Sequence, residues 1–358
     1  MGAAAFIMAE FLEAPYSYVI LAAIIPAFLY FTTIYFMVHV EAEKHGIEKI
    51  DKSVLPNVIE VLKGGGHMLL SLVVLIGLLI YGKTAMTAGF WSIVSVIVLS
   101  FIKKNTRMSV VDLLGAFESG IKSTVPVTIA WACAGIIIGS VFVSGLGLKF
   151  TQSVIDLSGG VLFILLCLTA VSAIILGMGM TTTAVYITVA ALIVPSLIES
   201  GIMPIAAHMF AFYFGVVSTI TPPVALASFA GAAIAKSPPM ATAVESSKVG
   251  IAQYIVPFAF VYNPSLLMEG PIIWSIYSLI SVLLAYWSMT LGLEGWFNGK
   301  LNVFKRSLAL FSSVALLIPP LQNIYGINGL YFNFFGIFIL IIIYYLQGKL
   351  YFNMKVAS

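Results

Sequence analysis

The 358 residues are 61% hydrophobic and 9% charged, with a net charge of +3, and the mean hydropathy is +1.10. This composition lies far outside the soluble globular range and defines an integral membrane protein of the lipid bilayer. The small, scattered charge offers no footing for nucleic acid and no polybasic lipid anchor.

The opening stretch MGAAAFIMAEF lacks a basic n-region, so no cleavable signal peptide is expected. Apolar runs of crossing length then predict membrane helices over 17–39, 67–81, 85–102, 125–144, 251–268, 272–292, 307–320 and 328–347. Both cysteines, Cys133 and Cys167, fall inside apolar segments, where they read as small buried hydrophobes. Two longer segments, 160–198 and 204–235, are apolar but interrupted near their middles by GMGMTTT at 177–183 and STITPP at 218–223.

Each interrupted segment can cross once or turn back, and the positive-inside rule separates the combinations. If one of the two turns back, only Lys83 and Lys149 of the 17 Lys and Arg residues face outside. If both cross straight through, eight of the 17 lie inside and nine outside, so a single hairpin is preferred. Length selects the hairpin: a helix over 160–198 would span about 58 Å at 1.5 Å per residue, nearly twice the hydrocarbon core. The segment 160–198 is therefore expected to be re-entrant with its tip at GMGMTTT. The segment 204–235 is expected to cross as two half-helices, because Pro222 and Pro223 remove two backbone donors.

Irregular backbone survives at membrane depth only where protein or a polar cavity satisfies it. Gly177 and Gly179 permit a tight reversal around Met178, while Thr181, Thr182 and Thr183 place hydroxyls beside freed carbonyls. Ser218, Thr219 and Thr221 do the same at the second break. Neutral oxygens of this kind suit a weakly held monovalent cation, and half-helix N-termini suit an anion. The pair of clusters thus describes a secondary-transporter site, although each cluster alone is compatible with back-bonded hydroxyls and a packing kink.

Other patterns carry no chemistry. GLLIYGKT at 77–84 has Walker A spacing, but its interior is apolar and ends a crossing helix instead of following a strand. The histidines His39, His45, His67 and His208 have no metal-ligand spacing, and no catalytic constellation is present, so an enzyme is not expected. His208 lies within the broken crossing, where a hydrogen-bonded packing role fits it best.

The stretches GMGMTTTAVYITVAALIVPSLIESGI, AAHMFAFYFGVVSTITPPVALASFAGAAIA and PFAFVYNPSLL resemble the large membrane (permease) subunit of tripartite ATP-independent periplasmic (TRAP) transporters, in particular the fused-permease branch. AFESG at 116–120, SGLGLKF at 144–150 and LEGW at 293–296 extend the resemblance over roughly 1–300. It implies an all-α elevator-type transporter of the prokaryotic inner membrane, with inverted repeats, a re-entrant hairpin and broken transmembrane helices. It further implies sodium as the coupling ion, no other cofactor, and small organic anions such as dicarboxylates as substrate. The implied partners are an extracytoplasmic solute-binding protein and a small four-helix membrane subunit.

Mapped onto this chain, the hairpin tip falls on Gly177 to Thr183 and the broken helix on Ser218 to Pro223. Sodium is expected at Gly177, Gly179, Thr182, Thr219 and Thr221. Relatives of the branch commonly carry proline where Thr181 stands. The resemblance divides the chain into a half-helix of a first transport repeat at 1–11, helices and a cytoplasmic loop linking repeats at 12–124, a second transport repeat at 125–268, and C-terminal helices at 269–358. In the family pattern a first hairpin and the small-subunit helices precede the residue corresponding to Met1. An N-terminally truncated permease, completed by another chain and inactive alone, is the expectation. Competing readings are a binding-protein-independent sodium/anion carrier of similar architecture and, in another class, an intramembrane enzyme or scaffold.

Overall fold

The computed structural model of the chain describes residues 3–47, 57–81, 83–178, 180, 182–324 and 326–357. They group into two compact units, Met1–Ile20 with Glu48–Ser140 and Leu21–Ile47 with Val141–Ser358.

In the first unit, α1 (Ala3–Phe11) turns into the start of α2 (Tyr16–Lys44), and Phe6 stacks on Tyr16 with ring centroids 4.1 Å apart. Next come α3 (Val58–Gly65), a 3-10 turn (Gly66–Leu69) and α4 (Leu70–Ile80). They run together as one apolar helical segment, so the crossing expected at 67–81 begins earlier, at Val58. The start is fixed by Asn57, whose side-chain oxygen accepts from the Ile59 amide at 3.0 Å. The helix α5 (Ala85–Ser100) packs back on α4, and the Ser92 hydroxyl donates to the Ser71 carbonyl across the pair.

Lys83 and Thr84 of the Walker-like stretch lie between α4 and α5, two helices, and not after a strand. Lys83 N–H bonds the Leu78 carbonyl, and Thr84 caps α5 by accepting from the Thr87 amide. The long helix α6 (Val110–Ser144) starts well ahead of the expected 125. Ser109 and Asp112 explain this: each accepts the other's backbone N–H, a reciprocal capping box.

The second unit holds the rest of α2 and the helices α7 (Leu146–Ser158), α8 (Leu162–Gly177), α9 (Thr182–Leu192), α10 (Val194–Glu199), α11 (Pro204–Val217), α12 (Leu226–Ala235), α13 (Pro239–Val249) and α14 (Ala252–Tyr262). The crossing expected over 251–268 is not one helix. α14 stops after 11 residues and a 3-10 turn, Pro264–Leu267, follows. The cause is Pro264, which excludes the helical conformation from the residue before it; Asn263 sits at φ −131°, ψ 82°. The Asn263 side-chain amide donates from Nδ2 to the buried Ser278 hydroxyl at 2.8 Å.

Three C-terminal helices, α15 (Ile272–Glu294), α16 (Val303–Leu317) and α17 (Gly329–Ala357), pack in sequence, and a two-residue ribbon (Asn323–Ile324 with Ile327–Asn328) turns the chain between the last two. Buried serines join them: Ser288 donates to the Ala309 carbonyl at 2.9 Å and Ser312 to the Gly336 carbonyl at 2.7 Å. Such hydroxyl-to-backbone bonds between closely packed helices hold where lipid removes the hydrophobic driving force. At the ends of α2 and α15 lies an ionic cluster. Glu294, its side chain 1% exposed, pairs with Lys44 at 3.2 Å and with Lys248 of α13 at 2.8 Å.

Among the described residues four helical segments are long and apolar enough to cross a membrane: Tyr16–Lys44, Val58–Ile80, Ile272–Glu294 and Gly329–Gln347. The helices α8, α9, α11 and α12 are apolar but short, with 16, 11, 14 and 10 residues. At 1.5 Å per residue they reach only about 15–24 Å, half to four-fifths of the hydrocarbon core. The candidate site lies where these short helices end.

Candidate functional site

The helices α8 and α9 lie against each other, and both lie along α11; α7 in turn contacts α8, α9 and α10. A wedge of rings fixes the α8–α11–α14 corner, with Phe258 edge-on to Phe210 at 5.3 Å and to Phe214 at 5.8 Å, and tilted on Phe163 at 5.8 Å. On the other flank Tyr186 of α9 shares a 2.8 Å hydrogen bond with His208 of α11, both buried. His208 is thus engaged as a packing histidine within the core.

At the open end of this bundle the two interruptions meet. Gly177, the last residue of α8, is buried against Ser218, the first residue past α11. The Ser218 hydroxyl lies 3.0 Å from the Gly177 carbonyl and 2.7 Å from the Gly215 carbonyl. No larger residue fits at 177, since a Cβ there would sit 2.5 Å from Ser218 Oγ and 2.8 Å from its Cβ. Gly215 is fitted equally closely to α9, with Val185 Cγ1 2.8 Å from where its Cβ would be. Gly177 thus brings the end of α8 onto the start of the second break, and Gly215 brings α11 onto α9.

The remaining site residues divide by environment. Met178 is half-buried in extended conformation, Thr182 is exposed at the start of α9, and Thr183 is buried one residue later. Gly179 and Thr181 lie outside the described residues. In the second break, Pro222 is half-buried and Pro223 exposed, joined by a cis peptide bond. The Thr219 hydroxyl donates to the Val216 carbonyl at 2.8 Å and Thr221 to the Val217 carbonyl at 2.6 Å. Both hydroxyl protons are therefore directed at α11's last turn, so the oxygens can offer only lone pairs to anything else.

Thr221 has a second partner, the Tyr254 hydroxyl at 2.6 Å. Since the Thr221 proton is already committed to Val217, Tyr254 is the donor. Past the prolines the chain closes on itself, with Ala225 N–H on the Thr221 carbonyl and Ala227 N–H on the Thr219 carbonyl. The break is an ordered loop rich in oxygens, and at its far end α12 begins after Ala225, at φ 31° and ψ 50°. Sequence reasoning missed Gly215, Ser247, Gly250 and Tyr254, all of which touch the two interruptions or what supports them. Nothing in their local sequence marks them, because each acts across 27 or more positions of chain or by its small size.

Short apolar helices whose broken ends meet in hydroxyl- and carbonyl-rich loops are the kind of arrangement from which membrane transport sites are built. Residues 1–274 match the family model of the tripartite ATP-independent periplasmic transporter, DctM component, and the chain belongs to that family. It is accordingly a TRAP transporter large permease of the inner membrane, and members of the family work with a solute-binding protein and a small membrane subunit. No curated protein and no solved structure matches the chain.

Proposed function

We propose that this permease imports small organic anions, handed over by an extracytoplasmic solute-binding protein, at the expense of a sodium gradient. The observation that carries the reading is the contact of Gly177 with Ser218, which joins two interrupted membrane segments at their oxygen-rich ends. Hydroxyl oxygens whose own protons are directed elsewhere are neutral ligands of the kind a weakly held monovalent cation accepts. The N-terminus of α9, opening with Thr182, offers backbone N–H groups and a positive dipole end to an anion.

In this reading 160–198 is a re-entrant hairpin and 204–235 a broken crossing, together the core of a second transport repeat at 125–268 that moves as an elevator. The packing of α8 and α9 side by side on α11, with α7 against both α8 and α10, supports a chain that turns back between α8 and α9. The test is uptake into proteoliposomes containing the permease, its small subunit and its binding protein. Accumulation that follows an imposed sodium gradient is expected. Uptake that survives collapse of that gradient and requires ATP overturns the proposal.

A further inference from the structure

The break at 218–223 is seated on the junction between α13 and α14, which follows it in the chain. The Ser247 hydroxyl of α13 donates to the Ile220 carbonyl at 2.9 Å. Three positions on, Gly250 leaves room for the Ile220 side chain, because a Cβ at 250 would lie 2.6 Å from Ile220 Cδ1. Four positions further, the Tyr254 hydroxyl of α14 donates to Thr221 Oγ1 at 2.6 Å. Ser247 lies in the last turn of α13, Gly250 in the turn that follows and Tyr254 in the first turn of α14, so the three contacts come from one short helix–turn–helix junction. Consecutive residues of the loop, Ile220 and Thr221, are thus gripped by backbone, side-chain volume and hydroxyl in turn.

Two features make the seat decisive for the loop's shape. Pro222 and Pro223 contribute no N–H, so the loop cannot fix itself by helical bonds there. Ile220 also lines a cavity of about 330 Å³ together with Tyr30, Ile34, Thr242, Glu245 and Gly250, so its side chain is packed on only part of its surface and the bonds from Ser247 and Tyr254 fix the loop beside it.

We propose that Ser247, Gly250 and Tyr254 are positioning residues that hold Thr219 and Thr221 in the geometry required to ligate a monovalent cation. This rests on the reading of the break as part of a sodium site. Tyr254 acts through Thr221: by donating to Oγ1 it occupies one lone pair and turns the other in a fixed direction.

The experiment is thermal unfolding of the detergent-solubilised full chain, titrated with sodium chloride against choline chloride at constant ionic strength. Sodium is expected to raise the wild-type Tm saturably, as a ligand bound only by the folded state must. Tyr254→Phe and Ser247→Ala are each expected to raise the half-saturating sodium concentration about three- to tenfold, the effect of one lost hydrogen bond. Tyr277→Phe, which removes a hydroxyl bonded to Asn333 elsewhere in the fold, is expected to leave it unchanged. A wild-type chain with no sodium-specific shift overturns the ion-site reading and the proposal with it. A wild-type shift that both variants reproduce at the same half-saturation, even from a lower starting Tm, overturns the proposal alone and leaves the ion site standing.

Discussion

The Ser218 hydroxyl sits 3.0 Å from the carbonyl of Gly177, forty-one positions earlier in the chain. The contact exists because residue 177 has no side chain, and it makes a sharp prediction. Gly177→Ala pushes a methyl group into Ser218 and is expected to cost about 1–3 kcal/mol of stability, as overpacking of a tight contact does. Adding Ser218→Gly removes both side-chain atoms closest to the new methyl group and leaves only the Gly215 carbonyl, at 3.1 Å. The double variant should recover most of the lost Tm in a thermal melt. An additive loss in the double variant would separate the two residues.

The threonines of the two stretches are predicted to act on ion activation more than on abundance. Thr182→Val, Thr183→Val and Thr221→Val replace a hydroxyl by a methyl group at nearly constant volume. Thr221 already donates to Val217 and accepts from Tyr254, so its valine variant loses two bonds as well as a lone pair. Sodium-activation curves of uptake, normalised to the amount of permease in the membrane, are the measurement. The half-saturating sodium concentration should rise in all three variants and most in Thr221→Val.

The ionic cluster gives a prediction about stability. Lys248 bridges Glu294 at 2.8 Å and Glu245 at 3.0 Å. Burial pushes its ammonium pKa down, but hydrogen bonds to Glu294 and Glu245 reverse this and hold it above the ordinary 10.5. Lys248→Met leaves the buried Glu294 with Lys44 alone and is expected to cost on the order of 2 kcal/mol, between an exposed pair and a fully buried one. Lys248→Met with Glu294→Gln should cost less than the single lysine variant. A group with a raised folded pKa contributes stability that is complete below its unfolded pKa and lost as pH rises through the folded value. The Tm difference between wild type and Lys248→Met should therefore stay constant through the neutral range and shrink only above about pH 10.

How much of this was legible in sequence differs from element to element. The two interruptions were readable because Gly, Thr and Pro stand out against apolar helices, and their positions coincide with the ends of α8, α9 and α11. Helix starts were less readable where polar caps lie outside the apolar run. The Ser109–Asp112 box begins α6 ahead of 125, and Asn57 begins the second crossing at 58. The stretch 251–268 was read as one helix and is instead interrupted at Pro264, whose effect on Asn263 outweighs the continuity of an apolar run. Tyr254 was invisible, because a tyrosine in an apolar helix looks like packing until its hydroxyl is seen on Thr221.

The hairpin assignment predicts sidedness. Single cysteines at Thr151 and Glu199 are expected to react with an impermeant maleimide from the outer face, and one at Ser237 from the cytoplasm. Residue 151 lies in α7 and 199 at the end of α10, helices that contact one another. Labelling of 151 and 199 from opposite faces would sink the hairpin and leave the lysine and arginine distribution without an explanation.

GLLIYGKT has the spacing of a phosphate-binding loop, yet α4 runs to Ile80 and α5 starts at Ala85, so Lys83 and Thr84 lie between two helices and not after a strand. The Thr84 hydroxyl oxygen accepts from the Thr87 amide and is the cap of α5, and Lys83 Nζ stands 5.8 Å from the Tyr81 ring. A phosphate cradle needs those backbone N–H groups turned inward around an anion after a strand, and here the Lys83 amide is bonded to Leu78. Lys83→Ala is therefore expected to leave uptake within about twofold of wild type, as for a surface charge of little energetic weight. Uptake should instead respond to the ion gradient and to voltage. Each net positive charge that enters gains about 2.3 kcal/mol per 100 mV, so import of a divalent anion with three or more sodium ions is accelerated by an inside-negative potential. Imposing that potential with a potassium diffusion gradient, without ATP, is the measurement. An uptake rate indifferent to voltage and sodium but abolished in Lys83→Ala would reverse the assignment.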